Sequence, residues 1–374
     1  MFVGIPKEIK DNEFRVSLSP RGVRELISHG HQVIVQKNAG HEIGFEDSQY
    51  SDVGALIAQD AKEVFDRAEL IIKVKEPQLA ECSLLRERQI IFSYLHLAAE
   101  PHITKALLES KCIAIAYETI TSSKGDLPLL APMSEVAGRV AVQAGASCLE
   151  RTKQGRGVLL GGVPGVAPGN VVIIGGGTVG MHSAIIASGM GASVTLFERS
   201  MDRIRTLKAF FDHKVNVLYS TVDSLEAKVA EADLVIGAVL IPGDAAPKVV
   251  TEEMVKKMKR GAVIVDVAID QGGCIETARP TTHSNPTYIE HGVVHYCVTN
   301  MPSAVARTAS SALENATLPY IITLANAGYR HALTADDHFL NGLNVYRGHV
   351  TYEAVAKALN HAYVPATSLL NPSS

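Results

Sequence analysis

Cysteine is scarce in this chain. There are five in 374 residues, at Cys82, Cys112, Cys148, Cys274 and Cys297, with no C-x-x-C pair and no spacing that reads as a disulfide framework. Most sit in apolar runs, so buried thiols and a reducing compartment are expected. Long basic runs are also missing, and the net charge is −4, which argues against a nucleic-acid or anionic-membrane surface. The opening MFVGIPKEIK lacks a long apolar signal core, so no leader and a cytoplasmic location are expected. Residues 157–197 contain no Asp, Glu, Lys or Arg. Glycines and prolines interrupt that stretch repeatedly, which rules against a membrane span. What remains is an ordinary globular composition, 47% hydrophobic and 20% charged, at a length that suits two domains.

The most informative segment begins inside the uncharged stretch and ends on the first charge beyond it, VVIIGGGTVGMHSAIIASGMGASVTLFE. An apolar strand, 171–174, runs into Gly175-x-Gly177-x-x-Gly180. A small-residue helix follows, then a second strand, 194–197, ending in Glu198. Gly175 permits a tight turn, Gly177 lets the backbone approach a pyrophosphate, and Gly180 allows close helix–strand packing. The helix N-terminus offers N–H donors to phosphate, and an acid after the second strand suits ribose hydroxyls. Glu198 would repel a 2′-phosphate, which favours NAD over NADP, although Arg199 and Arg203 stand close by. Further apolar runs at 215–218, 234–236 and 263–265 continue the sheet. The positions just after them, at Ser220, Val239-Leu240 and 267–270, are candidate cofactor contacts.

Residues 1–130 alternate strand-like and helix-like segments. Apolar runs fall at 2–5, 32–35, 70–74, 90–94 and 113–117, and helical patterns at 20–29 (capped by Ser19), 52–67 and 104–110. The polar residues beyond these strands are Lys75, His96 and Glu118, with Arg15 in the loop after the first. Strand carboxyl ends share one edge in a parallel sheet, so these groups should converge. Two cations, an imidazole and a carboxylate suit a small anionic substrate and proton transfer. Taken singly, each has a bland reading, as a surface histidine, a solvated lysine or a structural ion pair.

After a break at 127–132, residues 134–150 read as a long helix with Ser134 as N-cap. One more strand, 293–298, precedes Thr299-Asn300-Met301-Pro302, and from 304 onward the pattern looks helical. The expected fold is α/β, two doubly wound Rossmann-like domains with a cleft between them. Residues 1–130 begin a substrate domain, 131–303 form an NAD-binding domain, and 304–374 are a helical return that completes the first.

Eight segments, GIPKEIKDNEFRVSLSP, KVKEP, YLHLA, MSEVAGRVAVQ, GGVPGV, GGGTVG, DVAIDQGG and TNMP, occur in an order that resembles the alanine dehydrogenase family along essentially the whole chain. The resemblance implies that Arg15 and Lys75 hold the substrate's carboxylate and carbonyl. His96 then resembles the catalytic acid/base, and Asp270 the second catalytic residue. It also implies nucleotide contacts at Ser134, Thr178, Val179, Glu198, Arg203, Ser220, Val239, Leu240, Val267, Ala268, Ile269, Asp270, Arg279, Val298, Thr299, Asn300 and Met301. Some members carry Asp and Lys where this chain has Glu198 and Arg203, which keeps the charges. The metal-binding Glu-His pair of some relatives is replaced by Ala327-Gly328, so no metal is expected.

The implied reaction joins L-alanine, water and NAD to pyruvate, ammonium and NADH, with no nucleic-acid or membrane partner. A homo-oligomer, in the family often a hexamer, is expected. The alternatives are the NAD-binding part of a transhydrogenase, a saccharopine-type dehydrogenase, and a non-catalytic NAD-binding regulator. The Lys75 and His96 pair favours the dehydrogenase over the transhydrogenase, and an intact Lys75, His96 and Asp270 set argues against the regulator.

Overall fold

A computed structural model of the chain describes residues 1–239 and 246–370. It divides into two compact units, Met1–Met133 with Val305–Ser374, and Ser134–Ala304. In chain order the strands are β1 (Phe2–Ile5), β2 (Gln32–Gln36), β3 (Leu56–Ala58), β4 (Leu70–Ile72), β5 (Ile90–Ser93) and β6 (Ile113–Ala116). The second unit supplies β7 (Asn170–Ile174), β8 (Ser193–Glu198), β9 (Asn216–Tyr219), β10 (Leu234–Gly237), β11 (Val263–Asp266), β12 (Thr287–Glu290) and β13 (Val293–Tyr296). Two late strands, β14 (Leu343–Tyr346) and β15 (His349–Val350), rejoin the first sheet.

Both sheets are doubly wound. The first runs β15-β14-β6-β5-β4-β1-β2-β3 and the second β12-β13-β11-β10-β7-β8-β9. Each contains a parallel 3-2-1-4-5-6 order with antiparallel pairing added at one edge. The central strands are apolar without alternation, because helices cover both faces: β5 (IIFS), β6 (IAIA) and β11 (VIVD) are buried at every position.

Local signals explain most elements. The helix Pro20–Ser28 starts where expected, with the Ser19 side chain accepting from Gly22 N–H and proline in its first turn. Residues 52–67 do not form one helix. A short helix Asp47–Asp52 ends, the chain turns through Gly54 (φ 99°), β3 pairs beside β2, and a separate helix Ala61–Arg67 begins at the Asp60 cap. A three-residue edge strand has too few positions for its period to show.

Residues 304–374 are likewise not purely helical. A kinked helix Ala306–Ala335 is followed by the β14–β15 hairpin, whose Arg347 (φ 49°) and Gly348 (φ 91°) form a two-residue turn. Nor is Ser134 a cap, because the helix begins earlier and spans Ala131–Cys148. Pro132 is tolerated in its first turn, where backbone N–H groups have no intrahelical partner in any case.

All five cysteines are free and buried, and no helix of the described residues is long and apolar enough to cross a membrane.

Candidate active site

In the second unit the turn after β7 is built by glycine. Gly175 has φ 103°, and a side chain there would lie 2.6 Å from the carbonyl oxygen of Ala238, beyond the neighbouring strand β10. A Cβ on Gly180 would fall 1.8 Å from the Gly175 carbonyl oxygen. At Gly177, by contrast, a Cβ would meet open space. Two glycines are therefore required by the protein's own packing, and the third leaves the approach to the turn clear. The helix Thr178–Gly189 starts directly after Gly177, with no side chain capping its first N–H groups. Those donors suit a phosphate.

Glu198, at the end of β8, accepts from Gly176 N–H at 2.9 Å and from the backbone N–H groups of Arg199 and Ser200 at 2.6 and 2.9 Å. It therefore braces the glycine turn. The Arg203 Nε donates to the Gly176 carbonyl at 2.6 Å, and Ser220 N–H donates to the Glu198 carbonyl at 3.0 Å. This arrangement fits a dinucleotide: the acid faces the turn, and Arg203 is tied to its backbone.

Val239 follows β10 and is half-buried, whereas Leu240 lies outside the described residues. After β11, Val267–Gln271 forms a short 3-10 helix that exposes Asp270 and buries Ala268 and Ile269. Its anchor is Asp266, fully buried, whose carboxylate accepts from the N–H groups of Ala268, Cys274 and Ile275 at 3.0–3.1 Å. Burial pushes the Asp266 carboxyl up to about 6, against the pull of those donors. Arg279 is exposed and stacks over Tyr288, 4.0 Å from its ring centroid. Val298 and Met301 are buried, while Thr299 and Asn300 (φ 59°) are half-buried. Nothing in the sequence singles out Asp266, because a DVA strand end resembles any other.

In the first unit, the sheet places β1, β4, β5 and β6 side by side and parallel. Arg15, Lys75, His96 and Glu118 each follow one of these strands, so all four belong to one edge. Charged neighbours absent from the sequence-based set surround them. Arg15 is 2% exposed, and Glu13 occupies one side of its guanidinium, accepting from Nε at 2.7 Å and Nη2 at 2.5 Å. Nη1 lies 3.1 Å from the Met133 sulfur. Burial opposes the charge on Arg15, yet Glu13 raises its pKa overall.

The two lysines of KVK differ sharply. Lys73 is fully buried between Glu8 and Glu81, at 2.9 and 2.8 Å. Burial pushes the Glu8 carboxyl up against the attraction of Lys73, while the two carboxylates hold Lys73 charged in spite of its burial. The other Glu8 oxygen accepts from Val74 N–H at 2.6 Å, fixing the backbone that leads to half-buried Lys75. Lys75 in turn acts on buried Glu76. Burial raises that carboxyl, but Lys75 and then Lys10 hold it below the usual carboxylate range. Burial is what separates the lysines: Lys73 continues the buried run of β4, and Lys75 is the first residue to leave it.

His96 is exposed and adopts a left-handed backbone, φ 49° and ψ 35°. Its ring stacks on Tyr94, 5.9 Å between centroids and 8° from parallel, and the Tyr94 hydroxyl donates to Leu129 carbonyl at 2.5 Å. Across the edge, Glu118 Oε1 stands 3.9 Å from His96 Nδ1. Among the described residues no cluster of three or more His, Cys, Asp or Glu side chains could hold a metal ion.

Comparison with known proteins accounts for the whole chain. Residues 4–137 match the family model for the alanine dehydrogenase/PNT N-terminal domain, and 141–353 the model for the C-terminal domain. The chain is similar to alanine dehydrogenase of Halomonas elongata, 55% identical over 99% of this chain and 100% of the relative. It is also 54% identical to alanine dehydrogenase of Bacillus subtilis, over 100% of this chain and 99% of that one. Among solved structures, an L-alanine dehydrogenase superposes with TM-score 0.94 at 50% identity, covering 96% of this chain and 99% of its own. A transhydrogenase from Sinorhizobium meliloti shares the fold, with TM-score 0.80 at 23% identity, over 95% and 100% of the two chains. With both halves matched in order and every curated relative named here aligned end to end, this chain belongs to the alanine dehydrogenase/PNT family.

Proposed function

We propose that the chain catalyses the reversible oxidative deamination of L-alanine to pyruvate and ammonium, with NAD as coenzyme. The support that carries this reading is end-to-end likeness to alanine dehydrogenases, at 55% identity for one of them. When bound, the nicotinamide dinucleotide supplies the acceptor for the hydride leaving the substrate Cα. Gly175, Gly177 and Gly180, with the helix start at Thr178 and Val179, would hold its pyrophosphate, and Glu198 its ribose. Ser134, Arg203, Ser220, Arg279 and the segments 267–270 and 298–301 complete the assignment. Glu198 favours NAD over NADP, because it keeps a negative charge beside the turn.

The substrate residues follow from their chemistry. Arg15, kept charged by Glu13, binds the carboxylate and orients the α-carbon. Lys75 places positive charge against the oxygen that develops when water adds to the imine. His96 moves the proton at that oxygen, a contribution of about 10²–10⁴-fold in such roles. Asp270 assists the water and ammonia steps. The residues 1–130 and 304–374 are assigned to substrate and 131–303 to the dinucleotide. A cytoplasmic homohexamer completes the proposal, checked by light scattering of the purified protein.

The experiment is a set of initial rates followed by NADH absorbance. Pyruvate with ammonium should support rapid NADH loss, and NADPH should serve poorly. Activity confined to 2-oxoglutarate with lysine, or no turnover with any pair, would overturn the assignment.

A further inference from the structure

Glu118 stands among the strand-end residues, yet the reaction as described gives it no task. It follows β6, in the short turn Tyr117–Thr119, beside the end of β5 where Ser93 pairs with Ala116. Beyond that register the ladder stops, and the chain bends through the left-handed His96. Two N–H groups at this bend then lack a sheet partner, and both donate to one side chain. Glu118 Oε1 accepts from His96 N–H at 2.6 Å and from Leu95 N–H at 3.1 Å, while Oε2 accepts from Leu95 N–H at 3.2 Å.

From this geometry we infer that Glu118 is a positioning residue for His96, clamping its backbone so that the imidazole has one presentation to the substrate. The inference rests on the assignment of His96 as acid/base. A positive φ is uncommon away from glycine, though histidine tolerates it better than most side chains, and the contacts around His96 hold it there. The carboxylate accepts from both N–H groups, and Tyr94 restrains the ring from its face. Nδ1 is the ring nitrogen nearest Glu118. That leaves Nε2 as the atom for proton exchange with substrate. Glu118 is 15% exposed and His96 41%, so the clamp is sheltered and the acid/base is open.

The test uses the full-length enzyme with Glu118→Ala and Glu118→Gln. For Glu118→Ala, kcat with pyruvate and ammonium should fall about a hundredfold, the size of a misplaced acid/base, while NADH affinity stays put. Glu118→Gln keeps an acceptor oxygen and should recover to within about tenfold of wild type. Independently of activity, hydrogen exchange at the Leu95 and His96 amides should quicken in the alanine variant. A purely structural role would lower the melting temperature but leave kcat per folded molecule and the KM-to-kcat split untouched. Wild-type kcat together with wild-type amide protection in Glu118→Ala would overturn the inference. If His96→Ala itself turns over normally, it is the assignment of His96 that fails. If His96→Ala is inactive and Glu118→Ala fully active, the clamp alone is wrong. Should the alanine variant not fold, the glutamine variant decides by the same rates and exchange.

Discussion

Both units wind their sheets in the same order, but they treat the loop after the first strand in opposite ways. In the second unit β7 ends at Ile174 and the helix begins at Thr178, so the connection is little more than Gly175-Gly176-Gly177. In the first unit β1 ends at Ile5 and the helix waits until Pro20. A connection that short leaves backbone donors bare, which suits phosphate. The longer one carries Glu8, Glu13 and Arg15, all buried, and delivers side-chain charge instead. One topology thus makes two sites at corresponding places, one built from missing side chains and the other from buried ionic ones.

The comparison breaks most completely at the glycine turn. Gly180→Ala would push a methyl group into the Gly175 carbonyl, and NADH affinity should drop by about two orders of magnitude in a fluorescence titration. The equivalent break in the first unit is Glu13→Ala. Removing the carboxylate strips the buried Arg15 guanidinium of its Glu13 ion pair, a loss of about 3–5 kcal/mol that urea unfolding will measure. NADH binding by the molecules that stay folded should be unchanged.

A subtler difference concerns pH. The Asp266 carboxyl rises from 3.8 to about 6 on folding, so between those values the folded chain holds a proton that the unfolded chain releases. Its contribution to stability is therefore complete below about pH 4 and lost as pH climbs through about 6. Asp266→Asn should remove that part of the slope when unfolding free energies are measured across this window. The smallest expected effect is at the first unit's helix start, where Ser19→Ala forfeits the bond to Gly22 N–H and about 1 kcal/mol.

How much of this was legible beforehand depends on range. The glycine turn, Glu198 and the four strand-end residues could be read because each follows a local run whose end is visible in the sequence. Strands β3, β14 and β15 were not, being short or joined by an Arg-Gly turn rather than the commoner Asn-Gly. Ser134 looks like a cap in the sequence but is not one, because the helix runs through Pro132, which ordinarily signals a break. Glu8, Glu13 and Asp266 escaped for a different reason. Their importance comes from partners that are buried with them, and burial of a charge leaves no periodic trace. Arg15 itself was found, but its occupied Nε–Nη2 edge was not, since that requires knowing where Glu13 points.

The central claim is that the charged edge of the first unit carries the proton chemistry while the glycine turn of the second holds the coenzyme. Its most direct test is His96→Ala, measured for NADH affinity and for turnover with pyruvate and ammonium in the same preparation. Wild-type affinity with turnover reduced at least about a hundredfold is the expected result. Turnover near wild type would contradict the account.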